Sequence, residues 1–302
     1  PCFNMKTRSL LILLLISSIV SAQNRQDSVT SIPFVLTNHN NISVEAIFNT
    51  SDTAHLMFHL AVGGVSTITN SSKKLASIKW NVTDTVGSWG GNSLSQMSAN
   101  NTVQIGSLQF DSILVAENMH SGHETDGKFG PNLFKSHFIE INFDELNINL
   151  YNSLPLFIEE YEVIPLLVEN GLYFIEAKIK IENELINNRY LLHSGYSAAL
   201  LFDDEFAVNN LLNKKLPLLS ESELKDSFGN ILKTKKSEVD SFNVGAISFS
   251  NLPISFFEGA IGRQKMSVLG MDILKRFNLL LDLENKKLYL KKSRLFDDGY
   301  IR

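Results

Sequence analysis

The sequence predicts an all-β protein made of two related β-barrel lobes with a central cleft and a few short helices. Two observations support this prediction. Blocks of sequence recur at a constant offset, and much of the chain alternates or runs apolar over strand-length stretches. The 302 residues are enough for two cores of ordinary size. With 44% hydrophobic and 20% charged residues, the composition excludes a disordered chain and a polytopic membrane protein.

The repeat consists of three pairs of matching blocks. SWGGN at 88–92 matches SFGN at 227–230, and VQIGSLQF at 103–110 matches FNVGAISF at 242–249. The third pair joins FGPNLFK at 129–135 to LGMDILK at 269–275. The offsets between their first residues are 139, 139 and 140. Three ordered matches at even spacing indicate a duplicated unit of about half the chain.

Each half is predicted to be mostly strand, with a few short helices. Asp203 and Asp204 stand at the start of one such helix, and Asn132 and Asp272 are expected to cap two others. A polar turn at 282–287 predicts a hairpin. The expected strands are 42–48, 109–115, 138–143, 172–179 and 277–282, and the expected helices are 71–77, 132–136, 204–211 and 272–276.

The first residues of the sequence read as a targeting segment. Lys6 and Arg8 precede an apolar run, Leu10–Val20, and the small residues Ser21 and Ala22 follow it, as in a secretory signal peptide. The run is too short for a comfortable transmembrane helix, so we expect a secreted or periplasmic protein with no transmembrane segment in its mature chain. An uncleaved N-terminal anchor is the alternative. The predicted divisions are 1–4 upstream read-through, 5–22 signal peptide, 23–158 N-terminal lobe and 159–302 C-terminal lobe.

Charge and cysteine content exclude several classes of partner. The formal net charge is −5 and the sequence contains no long basic block, which argues against nucleic-acid binding. The single cysteine, Cys2, excludes a disulfide framework and a thiolate-clustered metal site. We expect no cofactor, and we expect a monomer.

The order of the repeated motifs resembles the bilobal pepsin/retropepsin superfamily of aspartic peptidases. The resemblance is best at Val268–Asn278 and extends more loosely over most of the mature chain. It implies that each lobe contributes an Asp-Thr/Ser-Gly triplet at the end of an apolar strand. In the second lobe, His193-Ser194-Gly195 stands at that place. In the first lobe, the triplet is either His59-Leu60-Ala61, which we favour, or Ala61-Val62-Gly63, and neither contains an aspartate.

Without a carboxylate pair, the resemblance favours a binding protein over a peptidase. Two close carboxylates share one proton, whereas a neutral imidazole has one donor and one acceptor nitrogen and supplies no anionic base. We therefore expect a pseudoprotease that holds an extended peptide or an exported polypeptide in its cleft. The residues expected to contact this ligand are Trp89 and Phe228 at the hairpin tips, and Ala61, Ser194 and Gly195 beside His59 and His193.

Two enzymatic alternatives stay open. In the first, His59 and His193 hold a zinc ion for metal-dependent hydrolysis, with His120 or His123 as a weaker third ligand. In the second, an atypical aspartyl-type peptidase draws its carboxylates from elsewhere, for example Asp126, Asp203 or Asp204. Asp126 precedes a glycine and suits a turn, and the other two suit a helix start, so ordinary structural roles are the stronger explanation for all three.

Overall fold

The computed structural model describes residues 30–88, 91–229, 231–257 and 265–301. The predicted signal peptide and Trp89 lie outside the described residues. Within these ranges, no helix combines the length and the apolar character needed to cross a membrane.

Two eight-stranded sheets have the same strand order. The first runs β2-β3-β4-β9-β5-β8-β7-β6, and the second runs β13-β14-β15-β20-β16-β19-β18-β17, which is the same path in the other half of the chain. The strands of the first sheet are β2 (Val35–Leu36), β3 (Ile42–Phe48), β4 (Asp52–Phe58), β5 (Val65–Ile68), β6 (Val82–Ser88), β7 (Gly91–Ile105), β8 (Leu108–Asn118) and β9 (Gly127–Phe129). Those of the second are β13 (Leu167–Glu169), β14 (Leu172–Ile181), β15 (Glu184–His193), β16 (Leu200–Phe202), β17 (Ser220–Lys225), β18 (Ile231–Val244), β19 (Ile247–Phe257) and β20 (Ser267–Gly270).

A six-stranded sheet draws strands from both halves of the chain. Its order is β1-β11-β10-β21-β22-β12, and the halves meet where Ile139 pairs with Leu281 and Ile141 with Leu279. All four of these apolar side chains are buried, so the junction also belongs to the core. The strands are β1 (Thr30–Pro33), β10 (Phe138–Asn142), β11 (Asn147–Tyr151), β12 (Glu162–Pro165), β21 (Phe277–Asp282) and β22 (Lys287–Lys292).

The predicted all-β fold class is confirmed, and the predicted strands 42–48 and 277–282 match β3 and β21 residue for residue. The described helices are single turns or little more. Those of the α type are Thr69–Ser72, Asp204–Asn209, Leu212–Lys215 and Met271–Leu274, and those of the 3-10 type are Pro131–Phe134 and Leu156–Glu160.

Two of the predicted helix caps were wrong. The residues at the N-cap positions are Gly130 and Gly270, and neither Asn132 nor Asp272 caps its helix. Both helices begin one residue earlier than predicted, because the chain turns directly out of the preceding strand. Asp203 does cap its helix, since its side chain accepts a hydrogen bond from the Phe206 amide at 2.8 Å.

Glycine is required where the chain leaves β20. A Cβ atom on Gly270 would lie 2.1 Å from the carbonyl oxygen of Ala198, whereas one on Gly63 would meet nothing within 4 Å. We expect Gly270→Ala to lower the free energy of unfolding by about 1–3 kcal/mol, because the main chain must move to accommodate the methyl group. Gly63→Ala is the matched control, and chemical denaturation measures both. Equal stability of the two variants would contradict this packing.

Candidate functional site

Two histidines meet between the eight-stranded sheets. In the first half, Phe58 pairs with Phe129 in parallel register, and His59 follows. In the second half, Leu192 pairs with Leu269, and His193 follows. Each histidine thus lies at the end of an apolar strand. The two imidazole rings are arranged edge to face, with centroids 4.5 Å apart, and the structure pairs His193 with His59 rather than with Ala61.

A serine hydroxyl ties the two strand ends together. Ser194 Oγ accepts a hydrogen bond from the Leu60 amide at 2.9 Å and donates one to the Phe58 carbonyl oxygen at 2.9 Å. The serine is only 1% exposed. A ligand contact by this side chain stays a prediction, and the two bonds across the lobes do not favour it.

Both imidazoles are neutral at ordinary pH. Burial first, and then the positive charge of Lys128, lower the pKa of His193 to about 3. The pKa of His59 also lies well below its usual range, because of burial first, then repulsion between its protonated form and a protonated His193 ring, and then the charge of Lys128. The Ala61 amide donates to Nδ1 of His59 at 3.0 Å, so the proton of the neutral ring is on Nε2. His59 therefore offers a hydrogen-bond donor, and no anionic base, to the interlobe site.

Lys128 is a functional candidate that the sequence motifs did not indicate. It lies in β9, one residue before Phe129, and its side chain is 9% exposed. Burial lowers its pKa to about 8, although the negative charge of Asp226 favours the ammonium form, so the side chain is mostly charged at pH 7. One signal could have revealed it. The matching strand of the second half reads Ser267-Val268-Leu269, so a lysine in the first half replaces an apolar residue.

A turn from the second half covers this lysine. We call residues 226–229, between β17 and β18, the flap tip. Lys128 Nζ donates to Ser227 Oγ at 2.5 Å, and the Ser227 carbonyl oxygen accepts from the amides of Met119 and His120 at 2.9 and 3.0 Å. The flap tip is thus bound to the first half of the chain by the Lys128 side chain and by two main-chain amides.

A groove of about 430 Å³ lies beside the flap tip. Phe228, predicted to contact a ligand, lines it together with Leu94 and Met119. Its remaining wall is polar and includes Thr69, Ser93, Ser95, Gln96 and Glu117.

Known structures share this architecture at low sequence identity. The crystal structure of an aspartic proteinase from Irpex lacteus matches 91% of this chain and 100% of its own, with a TM-score of 0.58 and 12% identity. The chain has the bilobal aspartic-proteinase fold. No protein-family model and no curated protein matches the sequence.

In this aspartic-proteinase fold, Gly195 is packed against the histidine pair. A Cβ atom on Gly195 would lie 2.5 Å from His59 Nε2 and 3.3 Å from His193 Cε1. Ala61 is half-buried, and its amide orients the His59 ring. Contacts from Gly195 and Ala61 to a ligand stay predictions.

The two histidines predicted as weaker zinc ligands, His120 and His123, are both exposed. His123 stacks on His39 with ring centroids 3.9 Å apart, and His120 lies beside Gly229 of the flap tip. Among the described residues, no three His, Cys, Asp or Glu side chains are grouped so that they could hold a metal ion. The structure therefore offers no third ligand for the predicted zinc site in the part of the chain that it describes.

Two of the three carboxylates considered for an atypical aspartyl-type peptidase accept hydrogen bonds within the fold. Asp126 accepts hydrogen bonds from the His55 amide at 2.9 Å and from Ser71 Oγ at 2.6 Å. Asp203 accepts from Ser267 Oγ at 2.7 Å in addition to capping its helix. Asp204 is in the first turn of the same helix. These observations favour the structural explanation given above for each carboxylate.

Proposed function

We propose that this chain is an exported, non-proteolytic protein that binds an extended peptide segment in its interlobe cleft. The proposal assigns His59 and His193 to the places that the two catalytic aspartates hold in active aspartic proteinases. The observation that carries it is the buried pair of neutral imidazoles at equivalent strand ends. Export rests on the sequence of residues 5–22, and a monomeric state is part of the same proposal.

The chemistry of the pair argues against peptide hydrolysis. An aspartic dyad needs one ionised carboxylate to take a proton from water and one protonated carboxyl group to donate to the substrate. His59 Nδ1 already accepts the Ala61 amide proton, so this nitrogen is not free to activate a water molecule. Loss of a general base costs about 10²–10⁴-fold in rate. In this proposal both positions of the aspartic dyad hold a histidine, so the loss should be larger than for one position alone.

The groove beside the flap tip suits an extended ligand. Two long hairpins, β6–β7 and β17–β18, extend from the two sheets, and the groove beside Phe228 lies between elements of both halves. An extended peptide can add main-chain hydrogen bonds to a strand edge, while pockets select its side chains. Phe228 and Met119 supply apolar contact in the groove, and the hydroxyl and amide groups supply polar contact.

Activity and binding should be measured on the same preparation. We expect the hydrolysis of fluorogenic peptides between pH 3 and pH 8 to be at least about 10⁴-fold slower than with an active aspartic proteinase. We expect the same protein to retain members of a randomised peptide library. Acid-range cleavage blocked by a pepstatin-like inhibitor would overturn the proposal, as would failure of the folded protein to retain any peptide.

We do not extend the proposal to a zinc-dependent hydrolase, because the described residues supply only the His59–His193 pair at the site. Elemental analysis of protein purified without a histidine tag tests this choice. Stoichiometric zinc that is lost in a His59→Gln/His193→Gln variant would reinstate the zinc site.

A further inference from the structure

Lys128 places a positive charge on the cleft side of its strand. Neighbouring strand residues point to opposite faces of the sheet, and Phe129 packs in the core against Phe58 and Phe134 with ring centroids 5.1 and 5.9 Å away. Lys128 therefore faces away from that core, on the side where the flap tip contacts it. A lysine is almost never buried to this extent without a partner that compensates its charge.

The compensating negative charge comes from the other half of the chain. Asp226 is 6% exposed and directly precedes Ser227, whose hydroxyl oxygen accepts the hydrogen bond from Lys128, so its carboxylate belongs to the turn that covers the ammonium group. The same aspartate accepts the Phe228 amide at 2.9 Å, so the carboxylate also shapes the turn. A buried cation of the first half thus lies under a turn of the second half that carries a buried carboxylate.

We propose that Lys128 makes the cleft selective for a carboxylate, and that an acidic group of the bound peptide takes the place that Asp226 has in this structure. This inference rests on the proposed peptide-binding function. His59 Nε2–H is a second hydrogen-bond donor at the interlobe site, because its Nδ1 accepts the Ala61 amide proton. Hydrogen bonds between charged groups are shorter and stronger than neutral ones, so a buried ammonium discriminates between a carboxylate and an amide.

Ligand entry then requires the flap tip to move. The contacts to be broken are the two amide bonds to the Ser227 carbonyl oxygen, the Lys128–Ser227 bond and the packing of Gly229 against His120. Asp226 and the ligand compete for one cation, so a variant without the Asp226 charge should bind an acidic peptide more tightly.

The test uses two matched peptide pools. Acetylated and amidated decapeptides, randomised except for a central Glu in one pool and a central Gln in the other, are bound to the wild-type protein. We expect a preference for the Glu pool of about 10- to 100-fold, the range typical of a buried charged hydrogen bond. A neutral pool with free C-termini distinguishes a terminal carboxylate from a side-chain carboxylate. Tighter binding of either carboxylate-bearing pool than of the Gln pool supports the inference.

Amino-acid substitutions test which residues cause the preference for the Glu pool. Lys128→Met should abolish the preference, and Lys74→Met, an exposed lysine of the same half, should leave it intact. Asp226→Asn should increase it. If Lys128→Met does not fold, Lys128→Arg and Asp226→Asn still test the charge, since the first should keep the preference and the second should strengthen it.

The possible failures are distinguishable. Equal binding of all pools, or a preference that survives in Lys128→Met, overturns this inference and leaves peptide binding standing. If the folded wild-type protein binds none of the pools, the proposed function fails, and the inference fails with it.

Discussion

Between pH 6.5 and pH 4.5, the two buried imidazoles should make the protein less stable as the solution becomes more acidic. In the unfolded chain, His59 and His193 take up protons near pH 6.5, whereas in the folded protein burial keeps both neutral well below that pH. The unfolded state therefore binds more protons, and the free energy of unfolding decreases by about 1.4 kcal/mol per pH unit for each imidazole. Over two pH units His193, whose pKa in the folded protein is about 3, accounts for about 2 kcal/mol, and His59 adds to the loss in the same direction.

Urea denaturation at several pH values measures this loss. A His59→Gln/His193→Gln variant should lose less stability over the same interval, because it has no imidazoles to protonate there. His55→Gln replaces an exposed histidine and serves as the control, which should follow the wild type. If the double variant shows the wild-type acid sensitivity, the histidine pair is not buried in its neutral form.

The second large effect is expected at Asp272, which is fully buried. Its Oδ1 lies 3.4 Å from Lys275 Nζ and 3.5 Å from Arg276 Nη2, and its Oδ2 accepts the Ile301 amide at 2.8 Å. Arg276 is only 1% exposed. Asp272→Ala should lower the free energy of unfolding by about 3–5 kcal/mol, because it leaves buried cations without their compensating charge.

Chemical denaturation compares this variant with Asp297→Ala, which removes an exposed carboxylate from the same region and should change stability by less than about 0.5 kcal/mol. Asp272→Asn keeps the side-chain shape and removes the charge, so it separates packing from electrostatics. A loss below about 1 kcal/mol in Asp272→Ala would show that the cations find other partners.

The roles of Asp272 and Gly270 explain why the resemblance to aspartic peptidases is strongest in a segment that supports the fold, next to the strand that ends at His193. Gly270 permits the close approach to Ala198, and Asp272 holds together a buried charge cluster at the chain end. Both residues maintain the fold, so their presence indicates the architecture and carries no information about the reaction. The proposed loss of peptidase activity depends on the separate site at His59 and His193.

The sequence by itself determined the two-lobed, all-β architecture. Strand periodicity depends only on residues that are near each other in the chain, and the duplication is visible as repeated blocks of sequence. It also pointed to His193, whose triplet keeps Ser194 and Gly195, and to His59 as its counterpart. For the same reason the strands at 42–48 and 277–282 were predictable residue for residue.

Only the tertiary structure decided which groups meet between the lobes. The bond from Lys128 to Ser227 spans 99 residues, and the bond from the Leu60 amide to Ser194 spans 134. Asp272 looked like a helix cap because its local sequence allowed one, yet its partners include Ile301 at the far end of the chain. Such contacts depend on how the two eight-stranded sheets are placed against each other, and no local periodicity encodes that placement.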